Sequence, residues 1–200
     1  MAGEDYASMA TLRLMLKAQD TDPRDDLLQR ALTSASRSID KTCGRRFWLD
    51  PEPVTRTYRA AGRTVPEDDG EVLLVDDIGD VSGLVVEVGS GTSWSPLAAD
   101  RVEPIPENAL VDGRPVTGLL RIGAPWTAGR TRIRVTARFG WPAVPDDVQQ
   151  ATLIQANRLF KRKDSPEGVT GSAEWGVVRL SRRDPDVWNL LEQYVLPGFG

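Results

Sequence analysis

The sequence predicts an α+β protein: a helical scaffold (N-terminal helices, a long central helix and a C-terminal helix) with an inserted antiparallel β-sandwich or barrel-like block. Two observations predict this. Apolar residues recur every three to four positions in 1–45 and again in 141–200, the helical period. Between them, 46–140 holds most of the prolines and glycines, which separate short runs rich in Val, Thr and aromatic residues. The expected division is therefore 1–45 with 141–200 as a helical core, and 46–140 as an inserted β domain.

The elements follow in order. A short first helix would carry Leu12, Met15 and Leu16 on one face. A second is expected after Thr21 or Asp22 as cap and Pro23 as first residue, with Asp25 and Asp26 at the positive end of its dipole. Leu28, Leu32, Ala35 and Ile39 recur along it, with Leu27 and Ala31 beside them, and Gly44 is its stop. Ser34, Ala35, Ser36 and Ser38 are small enough to let another helix approach closely. Strands are expected at 55–59 (TRTYR), 71–75 (EVLLV), 84–88 (LVVEV), 119–123 (LLRIG) and 130–139 (RTRIRVTARF). Turn signals EDDG, GSG and VDGRP lie between them. The last strand alternates: Thr131, Ile133, Val135, Ala137 and Phe139 on one side, Arg130, Arg132, Arg134 and Arg138 on the other. That is the pattern of a half-buried antiparallel strand.

Helix resumes at Pro145, with Asp146 and Asp147 in its first turn. It runs without Gly or Pro to Lys161, Arg162 and Lys163, charges suited to a C-terminus. Ser165-Pro166-Glu167-Gly168 ends it. A loop over 168–183 follows, part of which can pair as a hairpin. Asp184-Pro185-Asp186 then caps and starts a last helix, which Pro197 and Gly198 close.

The search for chemistry excludes more than it finds. The chain has no histidine, which removes Ser-His and Cys-His catalysis and imidazole metal sites. Its one cysteine, Cys43, has no partner for an intrachain disulfide and sits at a helix end without a setting that would activate it. GSGTSWS (89–95) is neither a P-loop nor a nucleophile elbow and reads as a turn. EDDGE (67–71) and DDIGD (76–80) lack the order of a calcium loop and read as solvated hairpin ends. No cofactor and no metal is expected, and the chain is not read as an enzyme. Net charge is -4, with 11 basic and 14 acidic residues in 46–140, so nothing recruits nucleic acid in bulk. The arginine face of 130–139 is expected to pair with Glu71, Glu87 or other local acids, or to be solvated, rather than to track phosphates. The N-terminus lacks the layout of a signal peptide, and no apolar run approaches the ~20 residues of a membrane span.

Apolar residues spread more widely than one packed face requires. On the helix 146–162, Val148, Ala156 and Leu159 share a side, Leu153 and Phe160 lie a third of a turn away, and Ile154 and Ala151 fall opposite. That helix is either central in its own domain or partly covered by another subunit. In the last helix Val187, Leu190, Leu191 and Tyr194 form a stripe, with Trp188 and Val195 off its centre. Either the helix docks on its own core, or an exposed Trp188 marks an interface.

The order of parts also carries a resemblance. YASMATLRLML, then DDLLQRALTSASRSIDKTCGRRF with I-D-x-x-C-G-R-x-F at Ile39–Phe47, then a variable β region, the strand-Gly-Trp-x-x-VP-helix junction of 130–163, and DPDVWNLLEQY follow one another. From end to end this resembles the head–tail connector (head-completion adaptor) proteins of long-tailed double-stranded DNA phages and related gene-transfer particles. The resemblance implies a virion protein made in the host bacterial cytoplasm and built into the head–tail junction. It implies a ring of about a dozen copies under the portal protein. DNA would pass through without sequence-specific binding, and weak acidity suits that passage. A next connector or tail-terminator protein would bind the far side; no membrane is involved. Carried over, the family's portal-engaging C-terminus points to Asp184–Gly200, with Trp188, Tyr194 and Phe199 as anchors. Candidate portal or subunit contacts are thus Val187, Trp188, Leu191, Tyr194, Phe199, Leu153, Ile154 and Phe160. Candidate DNA-channel contacts are Lys161, Arg162 and Lys163. Other readings are a different tail or neck component (tail terminator or baseplate β-module), or a carbohydrate-binding or enzymatic module on the β block. The long block at 46–140 departs from compact all-helical members of the family.

Overall fold

The computed structural model describes residues 3–17, 24–126, 131–162, 169–170, 178–179 and 184–197. It is α+β, and its contacts divide it into two units: Met1–Phe47 with Val144–Gly200, and Trp48–Ala143.

In the helical unit α1 spans Met9–Leu16, with Ser8 at its N-cap accepting from the Thr11 N–H. Leu12 is buried, whereas Met15 is exposed, so the expected three-residue face narrows. α2 spans Asp25–Cys43. Arg24 stands at its N-cap position without a side-chain cap; Thr21, Asp22 and Pro23 lie outside the described residues. Arg13 of α1 reaches Asp25 (Nε to Oδ1 3.1 Å), so an ion pair joins the start of α2 to α1. Gly44 closes α2 in the left-handed conformation at φ 66°, as its place after the last helical residue requires.

α3, Asp146–Lys161, is the hub of this unit and packs against α1, α2 and the later α4. It buries Val148, Ala151, Thr152, Leu153, Ala156 and Phe160. Small residues from both helices, Ala31, Ala35 and Ala156, share one core cluster with Leu12, Leu28, Leu32, Leu153 and Phe160. Buried Ser36 and Thr152 are satisfied inside their own helices: the Ser36 hydroxyl donates to Leu32 O (3.0 Å) and that of Thr152 to Val148 O (2.7 Å). Past α3, β8 (Val169–Thr170) and β9 (Val178–Arg179) form a two-stranded pair. α4 is short, Pro185–Leu191, and tightens into a 3-10 turn over Glu192–Tyr194. The chain is extended at Val195, and the Leu196 N–H donates to Cys43 O at 2.9 Å. Pro197, which disfavours helix in the residue before it, reinforces that exit.

The β unit is one antiparallel sheet of seven strands: β1 (Val54–Tyr58), β2 (Thr64–Glu67), β3 (Gly70–Ser90), β4 (Ser93–Pro96), β5 (Val102–Ile105), β6 (Val116–Ile122) and β7 (Arg132–Phe139). Its path is β1-β7-β3-β6-β5, with β2 and β4 also paired to β3. β3 organises the unit. Its first part pairs with β2 and β6, its second with β4 and β7, and register shifts between Leu74 and Val85 lie where it changes partners. Residues from both halves meet in one core, including Leu73, Val75, Val116 and Leu119 with Val86, Ile133, Val135 and Phe139. The sheet is thus folded over on itself around β3, and its path ends at β1 and β5 rather than closing into a barrel.

Two expectations change here. The separate strands at 71–75 and 84–88 are one strand, and DDIGD is no hairpin end, because β3 runs through it. Asp76 and Asp80 take part in ion pairs, and Asp77 accepts the Trp141 indole N–H at 3.1 Å. EDDG, by contrast, is the β2–β3 turn. At the far end of β7 the chain makes a close turn: Gly140 has φ 120°, and a Cβ there would come within 2.0 Å of Trp48 O. Only glycine fits that approach.

Candidate functional site

The I-D-x-x-C-G-R-x-F segment and the C-terminal segment meet in the helical unit. Phe47 is fully buried and takes edge-to-face contacts from Tyr6 (centroids 5.6 Å) and Tyr194 (5.5 Å). The Tyr6 hydroxyl donates to Asp40 and accepts from the Phe47 N–H at 2.9 Å. Arg37 completes the group, 3.3 Å from Asp40 and 5.3 Å above the Tyr6 ring. Burial is the main cause that raises the Asp40 carboxyl above its usual range, against the opposing pull of Tyr6 and Arg37; burial likewise pushes up the Tyr6 phenol. Burial also pushes the Cys43 thiol up to about 11, which removes the thiolate a nucleophile needs.

Asp184 caps α4 by accepting from the N–H groups of Asp186 (3.0 Å) and Val187 (3.4 Å), and lies 3.5 Å from Arg158 of α3. Asp147 accepts from Gln193 Nε2 (2.9 Å) and the Tyr194 hydroxyl (3.4 Å). With Leu191 1% exposed, this segment docks on the chain's own helices. Of the two readings kept open for it, own-core docking is the one observed for 184–197.

The predicted contact residues separate accordingly. Leu153, Phe160 and Leu191 are buried inside the helical unit, where neighbouring helices cover much of the apolar arc of α3. Trp188 is half-buried, not exposed; Val187, Ile154 and Tyr194 are also half-buried. Lys161 and Arg162 are exposed at the end of α3; Lys163 and Phe199 lie outside the described residues.

The arginines of β7 are engaged locally. Arg134 stacks 3.8 Å from the Trp94 ring centroid. Arg138 donates to Asp50 O (2.7 Å) and pairs with Asp80 (3.1 Å). Hydrogen bonds from Ser82, with help from Arg138, hold the Asp80 carboxyl below its usual range. Glu71, an expected partner, accepts the Trp126 backbone N–H and lies opposite Arg121 of β6 instead. A further network went unread in the sequence because its members are far apart in it: Asp76 binds Arg56 (2.7 Å) and the Tyr58 hydroxyl (3.1 Å), while Arg56 lies 4.0 Å over the Phe139 ring. Burial, then Asp76, pushes the Tyr58 phenol up. Among the described residues no three His, Cys, Asp or Glu side chains are placed to hold a metal ion, and no helix is long and apolar enough to cross a membrane.

No family model matches the sequence, and no curated protein matches it. Solved structures do. One is a chain from the neck of an empty GTA particle computed with C6 symmetry: TM-score 0.55, 16% identity, covering 100% of this chain and 98% of that one. Another is a chain from the virion of a native gene transfer agent particle: TM-score 0.53, 17% identity, with the same coverage. This chain shares their fold from end to end. At such identities the likeness is one of architecture, and it spans both units rather than the helices alone.

Proposed function

We propose that this protein is a structural component of the neck of a phage-like particle. In the finer reading it is a head-to-tail adaptor that forms a ring under the portal, extends the DNA channel and offers the tail-side platform. One observation carries it: a fold shared over the full chain with a chain from a particle neck. The C6 symmetry of that neck supports a cyclic ring of copies. The local engagement of the β7 arginines also fits a protein past which DNA slides rather than one that grips it. Because 184–197 is docked on its own unit, portal contact is assigned to surface that segment leaves exposed, or to a segment that undocks on binding.

Electron microscopy of the protein mixed with purified portal rings tests this. Added ring density on the portal is the expected result. Portal rings that stay bare would sink the adaptor reading.

A further inference from the structure

Two faces of the helical unit carry unpaired charge of opposite sign. On α2 the exposed residues Leu27, Arg30, Ser34 and Lys41 share the side turned away from the core. From Leu27 to Cys43 the helix holds three cations, Arg30, Arg37 and Lys41, and one acid, Asp40. Tyr6 and Arg37 take up that acid. Arg30 and Lys41 therefore leave the outer side positive, and among the described residues neither is in an ion pair. α4 and its 3-10 turn are the reverse. Residues 184–197 contain three acids and no cation. Asp184 is spent on the helix cap and on Arg158. Asp186, Asn189 and Glu192 are exposed on the side opposite buried Leu191. Neither Asp186 nor Glu192 is in an ion pair among the described residues.

The two faces also look in different directions, because α3 lies between the helices. Leu153, Ala156 and Phe160 of α3 share a core cluster with α2, while Asp147 and Arg158 hold the α4 segment. At about 100° per residue those two sets lie roughly 150° apart around α3, so α2 and α4 sit on nearly opposite sides of it. A cyclic ring joins unlike faces set on different sides of each copy, whereas a two-fold dimer joins like faces. We propose that the outer side of α2, through Arg30 and Lys41, meets Asp186 and Glu192 on α4 of the next copy in the ring. Like faces repel: α2 against α2 sets cation to cation, and α4 against α4 sets acid to acid. Charge thus fixes a head-to-tail order. Leu27, 45% exposed on the same side of α2, would be covered by the contact. Exposed ion pairs add little affinity singly, so the charges choose which faces meet rather than how tightly they hold. The inference rests on the ring reading above, and it leaves to the portal the surface that neither face uses.

The test uses the full chain and purified portal rings, read by electron microscopy. Wild-type protein should add a ring. Arg30→Glu with Lys41→Glu should lose it, and so should Asp186→Lys with Glu192→Lys, each with circular dichroism unchanged. All four changes in one chain again set opposite charges between neighbours and should restore the ring. Portal that stays bare with the wild type overturns the neck reading, and this inference with it. A wild-type ring that both reversals leave intact overturns this inference alone. So does a loss that the fourfold variant, still folded, fails to reverse, because charges that met the portal instead of a neighbour would not be rescued by their exchange.

Discussion

The two units handle their chain ends and edges in opposite ways. The helical unit is assembled from segments distant in sequence, yet it packs α3 among its own helices and fastens its C-terminal segment by Tyr194, Asp147 and the Leu196–Cys43 bond. The β unit is contiguous, has one core, and guards three of its four edges with proline. Docked helices satisfy their backbone groups internally, whereas a folded-over sheet always leaves edges. Surface open to a partner's backbone is thus expected on the β unit, even where the helical unit has the wider apolar pattern.

Substitutions can break this contrast, beginning with the most damaging. Phe47→Ala removes the ring between Tyr6 and Tyr194 and should cost roughly 3–5 kcal/mol, read as a lower denaturant midpoint with loss of helix signal. Leu191→Ala, on the docked α4, should cost roughly 2–5 kcal/mol in the same assay. A cost near zero would show that α4 is not part of the core. In the β unit, Gly140→Ala forces a side chain into a left-handed position against Trp48 O and should cost at least about 1–3 kcal/mol; tryptophan emission reports it through Trp48 and Trp141.

Smaller effects sharpen the contrast by pH and reactivity. The Asp40 carboxyl is raised, so its contribution is full below its unfolded value of 3.8 and is lost as pH rises through the folded value. Asp80 is lowered, so its contribution is present above 3.8 and is lost as pH falls through the folded value. Asp40→Asn should therefore remove a loss of stability on going from acid toward neutral pH. Asp80→Asn should remove a loss on acidification, and a smaller one because Asp80 is more open to water. Equal, same-signed changes in the two urea titrations would refute this assignment. Finally, Cys43 should resist a thiol reagent in the native protein near neutral pH and react once unfolded; rapid native labelling would mean that α2 frays at Gly44.

Much of this was legible in the sequence, for reasons that differ by element. α2 and α3 announced themselves because a long helical period survives the loss of a cap, as at Arg24. β7 was legible because its alternation is unbroken. β3 was not. A strand that changes partners midway carries Asp76, Asp77, Gly79, Asp80 and Gly83 where it bends, and those residues mimic a turn. β2, β4 and β5 escaped because each is short and holds a proline, the same property that guards them as edges. The candidate contacts fared as spacing arguments do. Spacing gave the apolar arc of α3 and the stripe of α4, but it does not say whether a chain's own helices or another subunit covers them. The Asp40–Tyr6–Phe47–Tyr194 group joins four positions across nearly the whole chain, and no local pattern predicts it.

One feature also orders events during synthesis. The β unit is continuous from Trp48 to Ala143, but α2 waits for α3, and the seat around Phe47 waits for Tyr194. As a ribosome releases the chain from its N-terminal end, the sheet can fold while Leu28, Leu32 and Phe47 are still uncovered. The helical unit is then completed only once Tyr194 has emerged. A chain cut short in translation would keep its sheet but leave a greasy helix exposed, a form quality-control proteases are suited to remove.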